Sequence, residues 1–201
     1  MTIRVSPSAE NVPGVSGQSG KYLTNDGKSL SWNTAGAGNA VLIASGTLSG
    51  ASVTVSGLSS YTNLYIGLYQ ARSGSNGRMF TRINSNTTSA NYPGWWWYWY
   101  SSGGTGNSGA IQDTQAGIPF DYADSHQGNN TNQIQWLQLT DCKKPGFTTW
   151  SSTQYYHGPN YFTRVIENGG GAFIVSETVS TLTFINDGGS WQGGTYRIYG
   201  S

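Results

Sequence analysis

The stretch "NYPGWWWYWYSSGG", residues 91–104, decides how the rest of this chain is read. Aromatic residues run unbroken from Trp95 to Tyr100 and take up half of the eight tryptophans. An extended strand sends successive side chains to opposite faces. On that geometry Trp95, Trp97 and Trp99 share one face, and Trp96, Tyr98 and Tyr100 share the other. Each Trp or Tyr removes about 150–250 Å² from water when covered, which at roughly 25 cal/mol per Å² makes three on one face worth several kcal/mol. One face can join a core. The other needs a cover: the 101–132 segment folded over it, sibling chains, or a sugar whose apolar face stacks on flat indoles.

Outward from this run, period-two alternation dominates and helical periodicity is absent. Residues 40–48 read as a buried strand, and Val53 and Val55 mark another. Leu64, Ile66 and Leu68 share a face, as do Met79, Thr81 and Ile83. In "QIQWLQLT" (133–140) the apolar phase changes midway, which a bulge near Trp136-Leu137 or burial of both faces would explain. Residues 171–177, 180–186 and 195–200 complete the series. Asn-Gly, Asp-Gly-Gly and Gly-Gly turns punctuate the strands. Many short strands with Gly-rich turns indicate an all-β, jelly-roll-like sandwich. Residues 101–132 and 143–162 read as loop-rich, and Trp150, Tyr155, Tyr156 and His157 in the second loop form a candidate rim.

The N-terminal part has a different character. Pro7 and Pro13 punctuate a small, polar, extended arm. "KYLTNDGKSLSW" (21–32) then carries a hairpin signal in Asn25-Asp26-Gly27. A lone hairpin is marginal in water and needs something to lean on. Residues 33–40 read as a flexible joint. The expected division is an attachment arm and hairpin over 1–36, with Tyr22, Leu23, Leu30 and Trp32 as contacts, and a sandwich over 37–201.

Only 9% of residues are charged, against about 25% in ordinary globular proteins. Polarity comes instead from hydroxyls and amides, a composition suited to adaptable contacts. Net charge is +1 without a basic run, which argues against nucleic acid as a partner. The first residues lack the apolar segment of a signal peptide, and no stretch suits membrane insertion. The single Cys142 reads as a shielded thiol in a chain assembled in a reducing host cytoplasm.

Two segments carry a family likeness. "VSGQSGKYLTNDGKSLSW" (15–32) resembles a linker of bacteriophage tail-fibre and other virion proteins. "GGTYRIYGS" (193–201) resembles the terminal strand of the β-sandwich in such proteins, and "VSGLSSYTNLYI" (55–66), "GLYQARSG" (67–74) and "FTRINSNTTSANY" (80–92) are together similar to its first half. The resemblance covers the linker, residues 47–92 and the last strands. It implies a virion structural protein, commonly trimeric, joined to other virion proteins by its N-terminus and projecting its sandwich. The expected function is a tail fibre or adhesin recognising host-surface polysaccharide. Trp95, Trp97, Trp99, Trp150, Tyr156 and His157 are the candidate ligand or interface residues. A capsid decoration or cement protein is the alternative reading. A polysaccharide-degrading tailspike is a more distant one, because such enzymes are usually larger.

No enzyme is expected. Asp121, Asp124 and His126 lie close in sequence but match no glycosidase or metal-ligand spacing. There is no Gly-x-Ser-x-Gly elbow and no phosphate loop. No cofactor and no metal are implied.

Overall fold

The computed structural model describes residues 21–25, 30–34, 40–73, 79–102, 105–114, 116–119, 132–146, 148–157 and 164–201. The chain divides into two compact units, residues 1–40 and 41–201. In the first, β1 (Lys21–Asn25) and β2 (Leu30–Thr34) pair antiparallel, with Leu23 opposite Trp32 and Asn25 opposite Leu30. Leu23, Leu30 and Trp32 thus hold register positions on one face and Tyr22 on the other. The arm expected before the hairpin lies outside the described residues.

The second unit is an all-β sandwich of two antiparallel sheets. The strands are β3 (Val41–Thr47), β4 (Ser52–Ser56), β5 (Leu64–Ser73), β6 (Met79–Ile83), β7 (Pro93–Ser102) and β8 (Thr105–Thr114). They continue with β9 (Ile118–Pro119), β10 (Asn132–Thr140), β11 (Thr148–His157), β12 (Arg164–Phe173), β13 (Thr181–Asn186) and β14 (Trp191–Gly200). The larger sheet has eight strands in the order β3-β14-β5-β10-β11-β12-β7-β8, and the smaller has four, β4-β13-β6-β9. At about 4.8 Å per spacing the larger sheet is roughly 34 Å wide and the smaller roughly 14 Å. The small sheet therefore roofs less than half of its partner.

The roof is fastened by specific contacts. Phe184 of β13 meets Tyr196 of β14 with ring centroids 5.3 Å apart. Gln135 of β10 donates through Nε2 to the Pro119 carbonyl of β9 at 3.1 Å and to Ser152 Oγ at 2.8 Å. Asn84, at φ +50, closes the end of β6. Its Oδ1 accepts from the Ser180 and Thr181 amides at 2.8 and 3.1 Å, and its Nδ2 donates to the Thr178 carbonyl at 2.7 Å. Tyr92, just before β7, is buried beside Phe173 at 5.1 Å. Its hydroxyl accepts from the Ile83 amide at 3.0 Å and lies 3.2 Å from the Ile83 carbonyl and 3.1 Å from the Asn86 carbonyl.

Two indoles join this core from the inner face of the large sheet. Trp96 of β7 and Trp150 of β11 are 2% and 3% exposed, with rings 5.1 Å apart and tilted by 32°. The strand between them, β12, carries Gly169-Gly170-Gly171. A Cβ at Gly169 would collide with the Trp96 ring, and one at Gly171 with the Pro93 carbonyl and the Trp150 ring. Glycine in a strand interior marks close approach of this kind.

Several elements differ from the sequence reading. The 40–48 run is not a buried strand: β3 is an edge strand paired with β14 alone, and Val41 and Leu42 are exposed. The loop-rich 143–162 region contains β11, whose Thr, Trp and Tyr residues favour a strand, and the 101–132 region contains β8, drawn into the sheet by β7 despite weak strand composition. The strand placed at 171–177 instead runs from Arg164 to Phe173, through the glycines. β10 has no bulge at Trp136-Leu137. Gln133, Gln135, Leu137 and Leu139 are all buried, so two glutamines join the inner face and Trp136 points out. The bulge lies on β5, where the register moves from Leu68 to Ala71 against Gln135 to Gln133, and Gln70 takes φ +53.

Replacing Gly169 or Gly171 with Val is expected to lower stability by about 1–3 kcal/mol through overpacking, while Gly170→Ala leaves it nearly unchanged; chemical denaturation of the three variants checks this. A second expectation concerns pH. Burial pushes the Tyr92 phenol up to about 12, partly offset by its hydrogen bond with Ile83. The unfolded phenol titrates near 10, so the neutral form favours folding fully below pH ~10, and that benefit, on the order of 2–3 kcal/mol, is lost between about pH 10 and 12. Tyr92→Phe removes this alkaline loss and costs about 1–3 kcal/mol at neutral pH by orphaning the Ile83 amide. Urea titrations at pH 8 and pH 11 measure both effects.

Candidate functional site: an open aromatic face

Because Trp96 is turned into the core, strand geometry turns its neighbours away from it. Trp95 and Trp97 stand on the outer face of the large sheet, 61% and 48% exposed. The expected parity holds for these three residues. Trp99 occupies the next register position along, opposite Ile166, and its side chain lies outside the described set.

Strand register extends this face sideways. Directly opposed residues in antiparallel strands project to the same side. One lateral row reads Gln138, Ser151, Gly170, Trp95 across β10, β11, β12 and β7. The next reads Trp136, Thr153, Asn168, Trp97, and a third reads Ile134, Tyr155, Ile166, Trp99. Trp136 is 50% exposed. It stands three strand spacings, about 14 Å, from Trp97. Between the tryptophans lie Ser151, Thr153, Asn168 and Gly170, all short. No position in the three rows carries a charged residue.

The flank of this face nearest β5 is concave. A cleft of about 210 Å³ opens between Trp136, Tyr65, Gln138, Ser151 and Thr153, with Ile66, Leu137 and Ser152 beneath. Trp136 is braced by Tyr69, whose ring meets it edge-on at 5.2 Å and 89°. Tyr69 in turn lies across Gly67, where a Cβ would strike its ring, and the Arg197 guanidinium stands 5.9 Å from the Tyr69 centroid. Thr153 Oγ1 donates to Asn168 Oδ1 at 2.8 Å.

The candidate residues thus separate. Trp95 and Trp97 reach the open face. Trp150 does not: it is core, held against Trp96 and the β12 glycines, and cannot form a rim. Tyr156 and His157 end β11 instead of sitting in a loop, opposite Val165 and Arg164, and their side chains lie outside the described set. Tyr22, Leu23, Leu30 and Trp32 belong to the separate hairpin unit. Trp136, Thr153 and Asn168 were missed by sequence reasoning; the signal available for Trp136 was the unbroken two-residue spacing of Gln133, Gln135, Leu137 and Leu139.

For acid–base or metal chemistry the described residues offer little. No three His, Cys, Asp or Glu side chains among them come together, and Asp121, Asp124 and His126 lie outside them. Burial pushes the Cys142 thiol up to about 12, the first cause being desolvation, so it stays protonated at neutral pH. No protein-family model matches the chain, and no curated protein sequence matches it.

Trp96 and Trp97 are adjacent in sequence but opposite in role. Trp96→Ala should cost about 3–5 kcal/mol, as a fully buried aromatic does, whereas Trp97→Ala should fall within about 1 kcal/mol of the parent. Equal losses in thermal or urea unfolding would show that the outer face is also part of a packed interior.

Proposed function

We propose that this chain is a bacteriophage virion structural protein of tail-fibre or adhesin type, whose sandwich presents the outer face of its large sheet to a neutral host-surface glycan. The observation that carries the reading is the set Trp95, Trp97 and Trp136, exposed on one face in rows without a charged residue, with short hydroxyl and amide side chains between them. Indoles stack on the apolar faces of sugar rings, and hydroxyls and amides satisfy the sugar hydroxyls. The resemblance of residues 15–32 and 193–201 to virion proteins supports the placement on a particle, with 1–36 as the attachment element and sibling chains completing a homotrimer.

The energetics suit many weak contacts. Covering the open half of one indole removes about 100 Å² from water, or roughly 2–3 kcal/mol. Two such contacts do little more than offset the cost of association, about 4 kcal/mol or more, so a single site binds weakly. Several copies on one particle raise the effective strength by orders of magnitude.

The test is retention of the full-length chain on host cells, in multimeric form, for the parent and for the Trp95→Ala/Trp97→Ala double variant. The parent is expected to be retained, and the variant, still folded, to lose at least about tenfold in retention, the equivalent of 1.4 kcal/mol. Unchanged retention, or labelling of the capsid shell by antibody in electron micrographs, would favour a decoration protein.

A further inference from the structure

We propose that the space bounded by Trp136 on one side and by Trp95 and Trp97 on the other is a single trough for a neutral oligosaccharide crossing the strands. One hexose or N-acetylhexosamine ring occupies the cleft against Trp136. This rests on the adhesin reading above and names the site, the direction of the chain and the class of sugar.

The floor carries the argument first. Gly169 and Gly171 are forced to be glycine by the indoles packed on the inner face. Gly170 is not: a Cβ there meets nothing closer than the Trp150 carbonyl oxygen at 3.5 Å, an ordinary contact. Packing within the chain leaves this position free, and the absence of a side chain keeps the outer floor low beside Trp95. Ser151, Thr153 and Asn168 continue that low floor toward Trp136.

The polar groups are set for a ligand with hydroxyls. The Thr153–Asn168 hydrogen bond fixes the Asn168 amide through its Oδ1, leaving Nδ2 to donate outward and Thr153 Oγ1 to accept. Ser151 and Gln138 are exposed beside them. At the far wall, Trp136 is held upright by the edge of Tyr69. A braced indole loses little freedom when a ring stacks on it, which is where binding to aromatic platforms gains.

Other occupants suit this surface less well. Across β10, β11, β12 and β7 these rows carry no cation for a phosphate, sulfate or carboxylate, and Arg197, two strands beyond Trp136 and opposite Gly67, has its guanidinium over the Tyr69 ring. A second protein sheet laid flat would bury the hydroxyls and amides of the floor without partners, at a cost of about 1–3 kcal/mol each. The cleft, at about 210 Å³, falls below the roughly 300–1,000 Å³ of typical small-molecule pockets, a size for one ring of a longer chain.

The decisive variant is Gly170→Tyr, which fills the floor from a position with room for a Cβ; Trp136→Ala removes the opposite wall. Both are made in the full-length chain and compared with the parent for melting temperature, oligomeric state, host-cell retention and binding to an array of neutral hexose and N-acetylhexosamine oligosaccharides. The parent is expected to bind array members. Gly170→Tyr should melt and assemble as the parent does and lose at least tenfold in binding, and Trp136→Ala should do the same. If the parent binds and the folded variants bind equally well, the trough is not the site, although the adhesin reading stands. A parent that holds cells but no array glycan, or a Gly170→Tyr variant altered only in assembly, also overturns the trough. A parent retained by neither cells nor glycans overturns the adhesin reading itself. Should Gly170→Tyr misfold, Trp136→Ala alone decides.

Discussion

Two indoles lying flat on a strand of glycines set the arrangement of this molecule's wider sheet. Trp96 and Trp150 fit into the core only if the strand between them has no side chains where their rings lie. Gly169 and Gly171 meet that condition. Once Trp96 is committed inward, the two-residue period of the strand leaves Trp95 and Trp97 no alternative but to face out. The exposed aromatic face is thus a direct consequence of how the core is packed. A single-residue slip of β7 would exchange the faces and drive Trp96 against solvent and its neighbours into the glycines, so the register is strongly specified.

The unequal sheets add a second constraint. The larger sheet has twice the strands of the smaller, and on one flank β11, β12 and β7 supply large side chains of their own to the shared core. That flank is stabilised by aromatic volume from its own strands, by Tyr92 and Phe173 where the two sheets meet, and by the ring pair Trp96–Trp150. Tyr92 is both plug and clamp, since its hydroxyl engages the backbone at the end of β6 while its ring sits in the core.

Much of this architecture was legible in the sequence where one face is apolar and the other polar. β4, β5, β6 and β13 follow from alternation alone, and the parity of the aromatic run followed from strand geometry. What failed did so for identifiable reasons. In β10 the buried face includes two glutamines, one of which bridges the sheets through Pro119 and Ser152; hydropathy counts such residues as surface, so the phase change was read as a bulge or as burial of both faces. In β12 the Gly169–Gly171 run looks like a loop, because its reason for being glycine is the pair of tryptophans on distant strands. β11 carries the β-favoured residues Thr148, Thr149, Trp150, Thr153, Tyr155 and Tyr156, but without apolar alternation its strand state was not read. The candidate site was half legible for the same cause: Trp95 and Trp97 announce themselves locally, while Trp136, Thr153 and Asn168 join them only through pairings between strands far apart in sequence.

The same packing logic bears on what the open face can be. A surface retained only for want of covering material would be expected to vary in height, with bulky residues wherever strand propensity favours them. In the rows through Trp95 and Trp97 the residues between the tryptophans are instead short, and one of them, Gly170 beside Trp95, is a glycine that the core does not require; bulky residues return only in the next row, at Tyr155 and Ile166. The Trp95 and Trp97 rows also carry no charged residue. Tall aromatic borders, a low hydroxyl- and amide-lined floor and a braced indole together describe a shape suited to an uncharged, ring-built polymer, and they arise from register alone, without any loop having to close. That independence from loops suits a particle-borne adhesin, because a site built on paired strands keeps its geometry in the free state and binding incurs little ordering cost.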